Sequence, residues 1–304
     1  MRYNRTISLT GGICLTATTR SDRTQGILFI IASAFCFALM NLFIRLTGVV
    51  PTRQKCFFRN FCALLIAGGT LLRYRVPLTI GSGNLKYLLI RSIDGGVGMV
   101  CNFYAVDHIA ISDASMLNKL SPFFAIIFSF FVLGERASAF ELGAVVSAFI
   151  GALFVVKPSF GFEVIPALAG VLGGLGAGLA YTNVRKLGLR GENSMIIVAF
   201  FSGFTTLCLT PVLLLNYTPM TAKQWMFLVL TGLAAAGGQI CITKAYSKAA
   251  AKEISVYDFS IVIFAAVLGF CFLGQIPDLL SVIGYIIIIG TAVIRWRFNG
   301  TAAK

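Results

Sequence analysis

The chain has 304 residues, of which 58% are hydrophobic and only 12% are charged. Soluble domains carry about 25% charged residues, so this composition excludes a water-soluble globular protein. A formal charge of +14 would favour nucleic-acid binding in a soluble protein, but in a membrane protein the position of the charges reports orientation. We therefore expect an integral membrane protein that has the lipid bilayer, and no nucleic acid, as its partner.

Residues 1–25 are polar, rich in threonine and contain several arginines. They lack the apolar core and small-residue cleavage site of a secretory signal. This segment predicts a disordered cytoplasmic tail ahead of the first membrane span.

Ten near-continuous apolar stretches follow the tail, each close to the 20 or so residues that cross a hydrocarbon core about 30 Å thick. Their apolar positions are continuous and do not alternate, which favours helices with internally satisfied backbones. The second stretch is short and contains Arg59. The ten predicted spans are residues 26–46, 56–72, 86–106, 114–134, 138–157, 164–184, 194–215, 224–244, 254–274 and 279–298.

The basic residues in the tails, in the loops and at the ends of these spans are distributed unequally between the two sides. Seventeen lie in the two tails and the even-numbered loops, whereas four lie on the other side: Arg53, Lys55, Lys157 and Lys223. Because positive charges accumulate on the cytoplasmic side, this bias predicts that both termini are cytoplasmic in a multi-pass protein of the cell membrane.

The second half of the chain repeats the first. Residues 105–135 align without a gap on residues 245–275 at an offset of 140, with eight identities, and Leu-Gly-Glu (133–135) aligns on Leu-Gly-Gln (273–275). Because each half has an odd number of spans, the halves must enter the membrane in opposite orientations. We predict an all-α integral membrane protein with ten transmembrane helices in two inverted five-helix repeats, at residues 26–157 and 164–298.

Three pieces of the sequence resemble the EamA-type family of the drug/metabolite transporter superfamily. They are Phe58-Arg59-Asn60, the run from Asp113 through Leu120-Ser121-Pro122 to Leu133-Gly134-Glu135, and the second-half counterpart of that run. The resemblance implies a ten-helix carrier of small metabolites with a central cavity lined by spans 1, 3, 4, 6, 8 and 9. The second half departs from the pattern, since Val262 replaces a proline and Gln275 replaces the acid.

Ionisable groups inside a span are functional candidates because burying them in lipid is costly. Span 3 carries Arg91 and Asp94, three residues apart and therefore on one face. They are either coupling or gating groups, or a structural pair that neutralises itself. Glu135 and Arg136 end span 4, where either a gate contact or a solvated helix end fits.

Lys119 lies about 9 Å inside span 4, at 1.5 Å per residue. Pro122 removes a helix hydrogen bond nearby, and this could open a backbone carbonyl to a solute. We predict that Asn118 and Lys119 contact the substrate. The alternative is a permanent ion pair between Lys119 and Asp107 or Asp113.

Asp258 in span 9 aligns with Asn118 at the repeat offset. An acid at this depth is a candidate proton carrier. Alternatively, Asp258 stands at a helix start, held ionised by Lys252 and the helix dipole.

Five further polar residues are candidate substrate contacts: Asn41, Asn102, Tyr104, Tyr181 and Gln239. Each of them could instead bond a neighbouring helix. The glycines of spans 3, 6 and 8 are attributed to close helix crossings, because none has the strand-turn-helix context of a phosphate loop.

These features favour a secondary-active transporter, with an exporter implied by the resemblance, for a small polar metabolite such as an amino acid or a nucleoside-like compound. Protons are the candidate coupling ion, and either a monomer or a homodimer fits. A lipid or amphiphile flippase is the alternative. An enzyme is disfavoured, with no catalytic residues, metal or cofactor expected, because the chain has one histidine and no nucleophile beside a base.

Overall fold

The computed structural model describes residues 6–7, 15–16, 20–108, 117–156, 164–274 and 276–301. Two short antiparallel strands, β1 (Thr6–Ile7) and β2 (Leu15–Thr16), precede the helices. The described residues then form α1 Arg20–Leu46, α2 Thr52–Arg73, α3 Leu85–His108, α4 Ser121–Leu133, α5 Ala139–Val156, α6 Val164–Leu189, α7 Ser194–Leu215, α8 Ala222–Lys248, α9 Ala251–Asp258, α10 Ser260–Leu273 and α11 Leu279–Thr301.

Each of the ten predicted spans coincides with helical structure, and the ninth is divided into α9 and α10. The second span, which is short and contains Arg59, forms the full-length helix α2. The first helix starts at Arg20 and not at residue 26, so residues 20–25 were wrongly placed in the tail. Their polar side chains extend the helix beyond its apolar part, where Arg23 is held by an ion pair with Glu253.

Within the described residues, eight helices are long and apolar enough to cross a membrane when α9 and α10 are taken together. The fourth, α4, is a shorter apolar helix. The third, α3, has the length of a span but carries Arg91 and Asp94 in its interior. The chain is therefore a multi-pass membrane protein.

Helix packing follows a twofold relation between the halves. Helices α1, α2 and α3 of the first half correspond to α6, α7 and α8 of the second half. Helix α4 corresponds to α9 and α10 together, and α5 corresponds to α11. The packing of α3 on α6 matches that of α1 on α8, and α4 on α6 matches α10 on α1. The contacts of α2 with α7 and of α5 with α11 each join a helix to its own counterpart in the other half. This arrangement confirms the inverted repeat of five plus five spans.

Small residues permit the closest of these crossings, as the sequence indicated. A Cβ added at Gly98 of α3 would lie 3.0 Å from the carbonyl oxygen of Gly173 in α6. One added at Gly174 would lie 2.9 Å from the carbonyl oxygen of Leu117. Gly96 is different, because an added Cβ there would meet no atom within 4 Å, and so close packing does not explain it.

Candidate functional site

The fourth and ninth spans are broken at equivalent places. A turn at Lys119 and Leu120 precedes α4, and Phe259 separates α9 from α10. The two residues that cap the following helices adopt nearly the same backbone angles, with φ −72° and ψ −15° at Leu120 and φ −67° and ψ −13° at Phe259. Helices α4 and α10 both end at a glycine with positive φ, Gly134 and Gly274. The two halves therefore place the same interrupted helix at the centre of the molecule.

Different residues accommodate the two breaks. Pro122 lies in the first turn of α4, where its missing N–H leaves a carbonyl of the preceding turn without a helix donor. At the break the helix starts Ser121 and Ser260 correspond, so the position of Pro122 is occupied in α10 by Ile261 and not by Val262. There the hydroxyl of Ser260 donates a hydrogen bond of 2.7 Å to the carbonyl oxygen of Tyr257. A proline at this position is thus not required for the break.

An ion pair joins the two breaks. The Nζ atom of Lys119 donates a hydrogen bond of 3.1 Å to Oδ2 of Asp258, and the two side chains are 19% and 12% exposed. Asp258 is the last residue of α9, so its placement at a helix start was wrong, because the helix begins seven residues earlier, at Ala251. Lys252 donates to the carbonyl oxygen of Arg136 instead. The side chains of Asp107 and Asp113, the other expected partners of Lys119, lie outside the described residues.

A cavity of about 370 Å³ lies beside this ion pair. Lys119 and Asn41 lie on its wall, together with Ser281 and Tyr285 of α11. The rest of the lining is apolar and comes from the end of α5, from α10 and from the loop before α11. The volume suits a small metabolite. The structure thus places two of the predicted contacts, Asn41 and Lys119, in one cavity.

A second polar cluster lies deeper between the helices. The guanidinium of Arg91 lies 3.8 Å above the ring centre of Phe201, and that of Arg59 lies 5.8 Å from the ring centre of Phe37. Both guanidiniums are within electrostatic range of the Tyr181 hydroxyl, which is also within range of Asp258. Tyr181 therefore lies within electrostatic range of both the cluster and the Lys119–Asp258 pair.

The remaining predicted contacts occupy separate surroundings. Tyr181 stacks on Tyr246 at 4.6 Å between ring centres. Gln239 is buried and donates to Thr243 at 3.4 Å along α8. Asn102 packs against α6 with its Oδ1 buried and, among the described residues, without a hydrogen-bond partner. Asn118 lies in the turn before the break, against Gly174.

Tyr104 is the outlier among the predicted contacts. Its side chain is 41% exposed, and its ring stacks on His108 at 4.1 Å near the end of α3. The structure does not bring it to the cavity wall or to the arginine cluster. Exposure and an aromatic neighbour account for this residue without a solute.

A layer of largely buried ion pairs lies at the end of the molecule where α1 begins and α11 ends. Each pair joins one half to the other: Arg185 to Glu135 at 3.0 Å, Arg295 to Glu141 at 2.7 Å, and Arg23 to Glu253. Glu135 forms an ion pair with Arg185 and is not a solvated helix end, because the side chains of Glu135 and Arg185 are only 9% and 5% exposed.

Sequence reasoning missed several members of this site. Arg59 was noted in the short second span and in the family resemblance but not as a site residue, although a charge inside an apolar span is itself a signal. Arg185 and Arg295 were counted as orientation signals at helix ends, and their acidic partners are distant in the sequence. No group of three or more His, Cys, Asp or Glu side chains that could hold a metal ion occurs in the described ranges.

Comparison with known proteins agrees with this architecture. The model of the EamA-like transporter family matches twice, at residues 24–157 and 164–296. The pseudopaline exporter CntI of Pseudomonas aeruginosa is 31% identical over 272 residues, which cover 87% of this chain and 93% of that exporter. Solute carrier family 35 member G1 of Homo sapiens is 24% identical, over 89% of this chain and 80% of that carrier.

A solved crystal structure superposes with a TM-score of 0.79 at 15% sequence identity, covering 91% of this chain and 99% of that one. At this identity the likeness concerns the fold alone. The two family matches fall on the two structural halves, and the similar proteins of known role are transporters. The chain belongs to the EamA-like transporter family and is a membrane transporter.

Proposed function

We propose that the protein is a secondary-active exporter of a small polar metabolite, working by alternating access at a site between its two repeats. The observation that carries this proposal is the Lys119–Asp258 ion pair, which joins the breaks of the two halves at the edge of a cavity. Interrupted helices at a repeat interface are a common site of substrate and coupling ions in secondary transporters. The repeats at residues 26–157 and 164–298 are the units that move.

The two ends of the molecule support alternating access. The cavity is lined by Val155 and Val156, where α5 ends, and by Ser281, where α11 begins. The opposite ends of the same two helices carry Glu141 and Arg295, which are ion-paired. The cavity and the ion-pair layer therefore lie at opposite ends, as expected of a carrier that is accessible from one side and closed on the other.

The charge distribution supports cytoplasmic termini, and the cavity then faces the outside of the cell. Export is supported by the similarity to a pseudopaline exporter. Polar groups such as Asn41, Ser281 and Tyr285 on an otherwise apolar wall suit an amino acid or a nucleoside-like compound.

A ligand screen of the purified protein tests this function. A metabolite at 100 times its dissociation constant adds about 2.7 kcal/mol to the apparent stability, which thermal unfolding detects. We expect polar metabolites to stabilise the protein and to exchange across proteoliposome membranes. A broad metabolite library that neither stabilises the protein nor exchanges would contradict the proposal.

Proton coupling is the second part of the proposal and rests on Asp258 and Asp94, the acids that face the interior. Asp258→Asn is expected to abolish uptake driven by a pH gradient into proteoliposomes and to spare substrate exchange, because exchange needs no net proton movement. Asp94→Asn tests the other acid. Unchanged gradient-driven uptake in both variants would exclude these acids as the proton carriers.

A further inference from the structure

The interior charges of the bundle do not balance. Three basic side chains, Arg59, Arg91 and Lys119, face two acids, Asp94 and Asp258. Lys119 and Asp258 bind each other, so among the described residues Asp94, beside Arg91, is the remaining acid for two guanidiniums. One positive charge in the arginine cluster is left over, and an uncompensated charge in a buried site is costly.

Arg91 has unused hydrogen-bonding capacity. Its side chain belongs to a residue that is 2% exposed, and its Nε and Nη1 atoms are buried without a hydrogen-bond partner among the described residues. Among the described residues, Oδ2 of Asp94 likewise has no hydrogen-bond partner. Arg91 therefore does not donate a hydrogen bond to this oxygen, as a structural ion pair would require. Buried donors that stay unpaired destabilise the fold, and native structures contain few of them.

The guanidinium of Arg91 is nevertheless held in place. Phe201 of α7 fixes its plane at 3.8 Å from the ring centre. Gly95, one turn later on α3, makes room for it, because a Cβ at this position would overlap Nη1 of Arg91. A rigid, dehydrated guanidinium with free donors is the arrangement that recognises a carboxylate.

We propose that Arg91, assisted by Arg59, binds a carboxylate of the transported metabolite. The inference rests on the proposed function and narrows its substrate to compounds that carry a carboxylate. A single carboxylate neutralises the left-over charge, whereas a phosphate dianion would reverse it. Arg91 suits this role better than Lys119, whose ammonium already donates to Asp258.

The first test uses proteoliposomes that contain the wild-type protein and a small-molecule extract of the cells that express it. Mass spectrometry identifies the compounds that exchange. We expect compounds with a carboxylate to exchange, and their amide or methyl-ester derivatives to fail. Exchange confined to phosphate esters, or to neutral and cationic compounds, would overturn the carboxylate site while leaving transport intact. Absence of any exchange would contradict the proposed function itself.

The second test separates recognition from structure. Arg91→Met should weaken binding of the exchanged carboxylate about 10- to 150-fold, as expected for the loss of a charge-assisted hydrogen bond. The thermal midpoint of the ligand-free protein should stay the same or rise, because a buried unpaired charge is removed. Arg91→Lys should retain part of the affinity.

Arg73→Gln is the matched control, since Arg73 is an exposed arginine at the end of α2, and it should change neither quantity. A lower thermal midpoint in Arg91→Met with unaltered affinity would show that Arg91 only packs against Phe201. That result would end the carboxylate proposal.

Discussion

The two helix breaks have the same backbone geometry but opposite charges. Lys119 stands one residue before the cap of α4, and Asp258 stands one residue before the cap of α10. Since the twofold relation brings equivalent positions together, identical charges would repel each other there, whereas a lysine facing an aspartate forms a 3.1 Å ion pair. The backbones of the two halves are thus alike at the breaks, whereas the ion pair between the breaks requires the two halves to carry different side chains there.

The two halves also differ at the two ends of the molecule. Glu135 follows α4 and pairs with Arg185, whereas the repeat offset aligns Glu135 with Gln275 in the second half. Gln275 lies outside the described residues, but an amide carries no charge. The end with the termini therefore carries an ion pair whose acid aligns with an uncharged amide in the second half. In the proposed alternating-access cycle, we expect this asymmetry to favour the state in which the cavity end is accessible.

The largest expected effect concerns which end faces the cytoplasm. In a cysteine-free background, Lys223→Cys at the cavity end should react with a membrane-impermeant thiol reagent in intact cells, and Arg136→Cys at the other end should be protected. Both side chains are exposed, so accessibility depends on the side of the membrane. The reverse labelling pattern would invert the orientation and exclude cytoplasmic termini.

The next prediction concerns the ion pair between Lys119 and Asp258, which joins the two breaks. Lys119→Met should lower the free energy of unfolding by roughly 3 kcal/mol, because it leaves the carboxylate of Asp258 without its partner in a largely buried site. Thermal unfolding in detergent measures the loss. Adding Asp258→Asn to Lys119→Met should restore most of the stability. A double variant that is no more stable than either single variant would show that the pair is not energetically coupled.

Much of this fold follows from the sequence, because apolar length alone fixes membrane spans. The seventh span was predicted at 194–215, the range that α7 occupies. The break before Ser260 was not predicted, because the apolar run simply continues across it. A hydropathy pattern contains no information on where backbone hydrogen bonds are interrupted.

The offset of the repeat also misplaced one partner by a residue. An offset of 140 aligns the helix ends Leu133 and Leu273, but the helix starts Ser121 and Ser260 differ by 139, because α4 has 13 residues and α10 has 14. Asp258 is therefore equivalent to Lys119 and not to Asn118. A gapless alignment cannot show such a shift, since it needs the position of the break.

Making the two ends alike tests the role of the ion pair at the terminal end. Glu135→Gln gives the first half the residue that the second half has at position 275. Loss of the charge-assisted bond to Arg185, worth about 1.5–3 kcal/mol, should shift the population toward opening at this end. The labelling rate of Ser255→Cys, a buried position in α9, should rise roughly tenfold or more in inside-out vesicles.

Arg136→Gln serves as the control for that experiment, because it removes a neighbouring exposed charge and should leave the labelling rate unchanged. Equal rates in Glu135→Gln and the parent protein would mean that the ion pair does not hold this end closed.

The smallest expected effect concerns how each half sustains its break. The Ser260 hydroxyl satisfies the carbonyl of Tyr257 at 2.7 Å, in the half where Ile261 occupies the position of Pro122. Ser260→Ala should cost about 1 kcal/mol of stability through the lost hydrogen bond. Ile261→Pro places a proline in the first turn of α10, at the position that Pro122 occupies in α4, where proline is favoured. We therefore expect Ile261→Pro to offset part of the loss in Ser260→Ala, measured by thermal unfolding. A double variant that is less stable than the sum of the two single changes in unfolding free energy predicts would contradict this expectation. The serine hydroxyl and the proline would then not be interchangeable ways of stabilising the break.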